Sequence, residues 1–337
     1  MRDELENWNT RLDDYILTVG FVDGLNAAVA VSANSTVSVY NANSGVLLNQ
    51  AVVFESGAIA AALSPGGSDI LITGQDGSVK LISSADLSEL SIDKVKGWVE
   101  HISWAADGYH VAFTTGKTVK VYNKKGDFIF ETSAHPSSVQ ALCWDKFGSQ
   151  LVTAYFGGIS IYNLATKKLT EQMPWPTAVV SLSWSADGKF ICGGTQDSKV
   201  HFWPIPYTHE SDFEMSGYKG KVTLPEWSYN ANYLATNCWN ELIIWTVAGK
   251  APMGQEPLIL GGHEGRITAM KYHPTSALLA TGSNKGELIL WDTQLAKRMI
   301  CEFKYPEEIT SLEWSGDGTL ILIGTRNGVL SCVESPV

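Results

Sequence analysis

The chain has 337 residues, 45% of them hydrophobic, and can bury a large core. Its net charge of −11 argues against a nucleic-acid backbone as the main partner, because phosphate binding needs concentrated Lys and Arg. No run approaches the ~18 apolar residues of a membrane span, and the acidic start Met1-Arg2-Asp3-Glu4-Leu5-Glu6 lacks the apolar core of a secretory signal. Five cysteines (Cys143, Cys192, Cys238, Cys301, Cys332), odd in number and without paired spacing, read as reduced thiols of a cytoplasmic protein.

The predicted elements are strands with period-two patterning and turn chemistry between them. Residues 1–12 form an isolated strand that starts no repeat. A unit of four strands, here a to d, begins after it with a at Tyr15–Val22, b at Ala27–Ser32 and c at Val37–Tyr40. Further along, a marker ends each strand a: Leu63, Trp104, Trp144, Trp184, Trp227, Tyr272 and Trp314. These are spaced by 41, 40, 40, 43, 45 and 42 residues. A second marker closes each strand c: Tyr40, Ile82, Tyr122, Tyr162, Trp203, Trp245, Trp291 and Cys332. Asp107-Gly108, Asp187-Gly188 and Asp317-Gly318 turn a into b. Gln75-Asp76-Gly77, Phe156-Gly157-Gly158 and Arg326-Asn327-Gly328 turn b into c, where a tight hairpin needs positive φ. Two markers with one period make a repeat protein, and the eight c markers make eight repeats.

The fullest copy runs from Gly262-His263 to Trp291-Asp292. Glycine-histidine near one end and tryptophan-aspartate near the other resemble the WD-repeat (WD40-type) family. That resemblance implies an all-β, single β-propeller over residues 1–337 with four-stranded antiparallel blades, and the count of c markers makes it eight-bladed. Seven blades, the habit of the family, is the runner-up. The last repeat stops after strand c, so residues 1–12 are expected to supply its fourth strand and close the ring. The family also implies a buried polar chain, here His263, Thr281 or Ser283, Trp291 and Asp292, with Asn284 near the place of an Asp. The stretch from His201-Phe202-Trp203 to Met215-Ser216-Gly217-Tyr218 resembles a bacterial subgroup of WD-repeat proteins of uncertain role.

No nucleophile elbow, phosphate loop or His-Glu-x-x-His motif occurs, so neither catalysis nor a cofactor is expected. Of the 12 tryptophans, eight are accounted for as strand markers and Trp8 lies in the closing strand. Trp98, Trp175 and Trp239 remain, in d–a or b–c connections that share one face, with Tyr155, Phe156, Tyr218 and Tyr305 in the same loop set. His135, Lys219, Glu264 and Arg326 are their expected polar neighbours, although His135 also fits the repeat's histidine position. Aromatics gathered there read either as anchors for protein or peptide partners or as plugs between blades. The expected function is thus a non-enzymatic scaffold, without nucleic acid or membrane as partner. The alternative is a propeller holding a small ligand or metal near loops 204–212 and 246–256 or in the central channel. His201 and His209 are its candidate ligands, but lie too loosely spaced to predict a site.

Overall fold

The computed structural model describes residues 5–208, 211–248, 252–294 and 299–336. Every element among them that packs into a sheet is a strand, and the strands fall into two compact units, residues 1–99 with 262–337, and residues 100–261.

The first unit holds four sheets. Strand β1 (Glu6–Arg11) is treated last. Blade 1 comprises β2 (Ile16–Val22), β3 (Ala27–Ser32), β4 (Thr36–Asn41) and β5 (Leu47–Val52). Blade 2 comprises β6 (Ala58–Leu63), β7 (Asp69–Gly74), β8 (Ser78–Ser83) and β9 (Glu89–Lys94). The second unit begins with blade 3, β10 (Ile102–Trp104), β11 (His110–Thr115), β12 (Thr118–Asn123) and β13 (Phe128–Glu131). Blade 4 contains β14 (Val139–Trp144), β15 (Gln150–Asn163) and β16 (Lys168–Ala178). Strand β15 serves as both b and c: it folds back at Gly157-Gly158, bringing the Thr153 hydroxyl to the Ser160 carbonyl at 3.4 Å. Blade 5 has β17 (Ser183–Trp184), β18 (Phe190–Gly194), β19 (Val200–Pro204) and β20 (Phe213–Met215). Blade 6 has β21 (Pro225–Trp227), β22 (Tyr233–Cys238), β23 (Glu241–Thr246) and β24 (Leu258–Gly261).

The first unit resumes with blade 7, β25 (Ile267–Tyr272), β26 (Leu278–Ser283), β27 (Glu287–Asp292) and β28 (Met299–Lys304). Blade 8 is β29 (Ile309–Trp314), β30 (Leu320–Thr325) and β31 (Val329–Glu334), and β1 pairs antiparallel with β31 from Glu6↔Val333 to Arg11↔Val329. The fold is an eight-bladed β-propeller of four-stranded antiparallel blades, its last blade completed by the N-terminal strand. Residues 1–4 of that predicted strand lie outside the described residues.

Burial follows position in the blade. Every residue of β3 (Ala-Ala-Val-Ala-Val-Ser) and β26 (Leu-Leu-Ala-Thr-Gly-Ser) is buried, as expected for a strand covered on both faces. The outer strands are largely exposed, as β5, β9 and β16 show. The strand-a markers end their strands as predicted, with Trp104, Trp144, Trp227, Tyr272 and Trp314 buried. Of the strand-c markers, Tyr40, Ile82, Tyr122, Tyr162, Trp203, Trp245 and Trp291 stand next to last in their strands.

Candidate interaction surface

Each blade carries a buried residue at the start of strand a (blades 1, 2, 4, 7 and 8) or three to four residues before it (blades 3, 5 and 6): Ile16, Ala58, Val99, Val139, Val179, Val222, Ile267 and Ile309. The residue four positions earlier is, in turn, Leu12, Phe54, Val95, His135, Trp175, Tyr218, His263 and Tyr305. Backbone bonding marks this as one repeated position. The N–H of Leu12, Val95, His135 and Tyr305 donates to the carbonyl of Gly328, Gly77, Lys117 and Gly286, each in the b–c turn of the neighbouring chain segment.

In blade 7 this position carries the full polar chain. His263 Nε2 lies 2.7 Å from Thr281 Oγ1, which also accepts Trp291 Nε1–H at 2.7 Å. His263 Nδ1 faces Glu287 Oε2 at 3.4 Å. A neutral His263 satisfies both sides by donating Nδ1–H to the carboxylate and accepting the Thr281 hydroxyl. Burial holds the His263 pKa below its ordinary value against the opposing pull of Glu287. The carboxylate expected near Asn284 comes instead from Glu287, the first residue of β27, 1% exposed. Ser283 donates its hydroxyl to Glu287, and Lys304 Nζ reaches it at 2.9 Å. Burial raises the Glu287 pKa, but the Ser283 and Lys304 contacts outweigh it and bring it down to about 2. Asn284 contributes a backbone N–H to Arg266 O, and Asp292 caps the following turn through Gln294 N.

Four residues expected at a binding face occupy the same structural position. His135 is buried, with Nδ1–H on Lys117 O and Nε2 on Thr153 Oγ1, each at 2.8 Å. Tyr218 replaces the histidine in blade 6, where its hydroxyl accepts Trp245 Nε1–H and meets Thr236 Oγ1, both at 2.8 Å. Tyr305 is buried and donates to Ser331 Oγ, which donates to Glu6 of the closing strand. Trp175 lies in strand β16 rather than a loop and is half-buried. Tyr155, in β15, is buried with its hydroxyl on Ser160. A buried side chain that completes a blade's packing and hydrogen bonding has no free surface to give a partner, so His135, Tyr155 and Tyr305 leave the candidate surface, while Trp175 and Tyr218 stay partly exposed.

Blade 5 rewrites the network. By strand register Gly193 stands where Thr281 does and His201 where Ile289 does. His201, 1% exposed, sits between two indoles, its ring centroid 3.8 Å from that of Trp175 and 4.4 Å from that of Trp203. Its Nε2 bonds Asp212 Oδ2 at 2.9 Å, while Nδ1 and both indole N–H groups lack a hydrogen-bond partner among the described residues. His209 lies outside the described residues, as do 210 and 249–251 of the two long loops. Among the described residues no group of three or more His, Cys, Asp or Glu could hold a metal ion, and no helix is long and apolar enough to cross a membrane.

What remains on the surface is smaller and sharper. In the second unit Trp239 is 57% exposed at the tip of the β22–β23 turn, and Phe156 is 56% exposed at the fold-back of β15. Beside Trp239, Lys219 Nζ pairs with Glu241 Oε2 at 2.8 Å, and Lys219 N–H reaches Cys238 Sγ. In the first unit Trp98 is 63% exposed between β9 and β10, Glu264 is exposed, and Arg326 pairs with Glu308 at 3.0 Å.

The Trp239 backbone is the telling detail. Its φ is +58°, in the left-handed region. The other two-residue turn of this kind, between β11 and β12, places a glycine there, Gly116 (φ +73°). A side chain in that region costs roughly 1–2 kcal/mol, and exposing an indole recovers none of it by burial.

The WD domain, G-beta repeat family model matches residues 168–204 and 254–292, which end on Pro204 after Trp203 and on Asp292 after Trp291. The SIR4-interacting protein SIF2 of Saccharomyces cerevisiae is 22% identical over 200 residues, 55% of this chain and 37% of that protein. Cell division cycle 20.1, cofactor of APC complex, of Arabidopsis thaliana is 28% identical over 51% of this chain and 40% of that protein. Actin-interacting protein 1 of Caenorhabditis elegans is 22% identical over 95% of this chain and 53% of that protein. The chain thus spans from about a third to about half the length of these relatives. The crystal structure of the computationally designed Ika8 protein superposes with a TM-score of 0.85 at 18% identity, covering 98% of this chain and all of that one. Repeat period, blade count, the blade 7 network and the two matched repeats make this chain similar to the WD-repeat β-propellers.

Proposed function

We propose that the chain is a non-enzymatic scaffold that captures protein or peptide partners through exposed aromatic side chains on b–c and d–a connections. Trp239 with the Lys219–Glu241 pair and Phe156 serve in the second unit, and Trp98 serves in the first. The observation that carries the reading is Trp239: a large apolar ring held both in solvent and in a strained backbone region. Strain of this kind persists at sites where function retains it. WD-repeat relatives support the class of function, and two are named for proteins with which they interact. The unpaired state of all five cysteines agrees with a reducing, cytoplasmic setting.

The test separates binding from folding. Replacing Trp239→Gly relieves the backbone strain, so the variant should melt at or slightly above the wild-type temperature. Proteins retained by the immobilised wild type from its native host should be depleted from the eluate of Trp239→Gly or Trp98→Ala, since losing a hot-spot aromatic costs about 2 kcal/mol or more of binding. Both eluates unchanged, with both variants folded, would exclude the two tryptophans as anchors.

A further inference from the structure

Strand β5 is the edge of the blade 1 sheet, ordered β2-β3-β4-β5, and presents its outer backbone groups to solvent, the Gln50 N–H resting on the exposed Asn49 Oδ1 at 2.9 Å that a partner carbonyl can displace. Val46, Leu47, Leu48 and Val52 are all exposed, Leu48 at 56% and Val52 at 64%. From Val46 to Phe54 there is no charged residue, in a chain with a net charge of −11. Other six-residue outer strands carry charges that discourage edge pairing, such as Glu89, Asp93 and Lys94 in β9, or Glu302 and Lys304 in β28. The edge is also pre-shaped. Asn41 Oδ1 accepts the N–H of Asn43 and Ser44, and Gly45 N–H bonds Asn41 O, fixing the turn into β5.

We infer that β5 is a self-association edge, pairing antiparallel with β5 of a second copy of this chain. The sequence itself points to that occupant. On alternate positions it reads Leu48, Gln50, Val52, apolar, amide, apolar in both directions, with Leu47 and Val53 flanking them. A two-fold axis normal to the sheet at Gln50 sets Leu48 of one copy opposite Val52 of the other, and Gln50 opposite itself. Such an isologous contact satisfies the edge backbone of both copies at once. A like-charged partner of this acidity gains by meeting where neither copy bears charge. The contact is one short strand with its flanking side chains, so a reversible dimer is expected rather than an obligate one.

Sedimentation velocity of the full chain over a concentration series tests the proposal. A reversible monomer–dimer equilibrium is expected. The double variant Leu48→Lys/Val52→Lys should remain monomeric at the highest concentration and melt close to wild type. If that variant fails to fold, Gln50→Cys is decisive. Directly opposed residues bring Cα atoms to about 4.5–5.5 Å, within disulfide range, so oxidation should cross-link it to a covalent dimer while Leu25→Cys, exposed elsewhere, stays monomeric. A wild type that is monomeric throughout, a dimer untouched by the lysines, or equal cross-linking of the two cysteine variants would each overturn the proposal.

Discussion

Blades 5 and 7 match the same family model and bury the same tryptophan, yet they hold it in opposite ways. In blade 7, Trp291 Nε1–H, His263 and the Thr281 hydroxyl satisfy one another, and Glu287 anchors the histidine. In blade 5, Gly193 removes the hydroxyl, Trp175 replaces the histidine, and His201 fills the space between two indoles. The two solutions occupy the same strand register. The polar chain is therefore one way to fix the outer half of a blade, and stacked rings are another. The stacked version leaves three buried nitrogens without partners among the described residues, which the polar version avoids.

The sharpest way to break the contrast is to remove the hydroxyl that blade 7 uses twice. Thr281→Val keeps the shape but strips the partner from both His263 Nε2 and Trp291 Nε1. An unsatisfied buried donor or acceptor costs about 1–3 kcal/mol, so a loss of about 2–4 kcal/mol is expected in chemical denaturation. A loss below 0.5 kcal/mol would show that blade 7 also stands on packing alone.

Next in size is the converse change. At Gly193 a Cβ would come 2.7 Å from Val179 Cγ1 and 2.8 Å from Ser181 O, which occupy the room that a threonine needs. Gly193→Ala should cost about 1–3 kcal/mol as overpacking, measured by the same denaturation midpoint. A neutral result would mean that blade 5 could have kept the family's hydroxyl.

The strands and their count were legible because apolar period and turn glycines are local signals. Every strand-a marker ends its strand, and residues 1–12 point to the β1–β31 pairing. The repeated position four residues before that buried residue was read only at His135 and His263, although its spacing is constant. It accepts histidine, tyrosine, tryptophan, phenylalanine, leucine and valine, so chemistry hid what spacing would have shown. Trp175, Tyr218 and Tyr305 therefore read either as surface anchors or as plugs between blades, and the structure puts them at the position of His263. Glu287 was missed for a different reason: the carboxylate enters from strand c rather than from the turn, and only the fold brings it back to His263. The left-handed backbone at Trp239 had a visible trace, namely Cys238-Trp239-Asn240-Glu241 where the β11–β12 turn reads Thr115-Gly116-Lys117-Thr118.

The smallest expected effect is the most discriminating, because it exchanges one blade's residue for the other's. His201→Ile installs in blade 5 the residue that blade 7 has at position 289. It removes a buried Nδ1 that has no partner, and it releases Asp212, whose side chain is partly exposed and can take water instead. Near pH 7 the change should therefore stay within about 1 kcal/mol of wild type, on the stabilising side. Acid separates the two further. Burial lowers the His201 pKa below 6.5 despite Asp212, so the folded state favours the neutral ring while the unfolded chain binds a proton more readily. That contribution is intact above pH 6.5 and is lost as pH falls from there towards the lowered folded value. The isoleucine variant has no such loss at this site, so its advantage should widen between pH 7 and pH 5. The general acid slope persists, because burial also lowers His101, His135, His263 and His273. Stability curves for the two proteins that stay parallel across this range would mean that His201 is not buried neutral, and that the stacked blade carries its imidazole as a cation on Asp212.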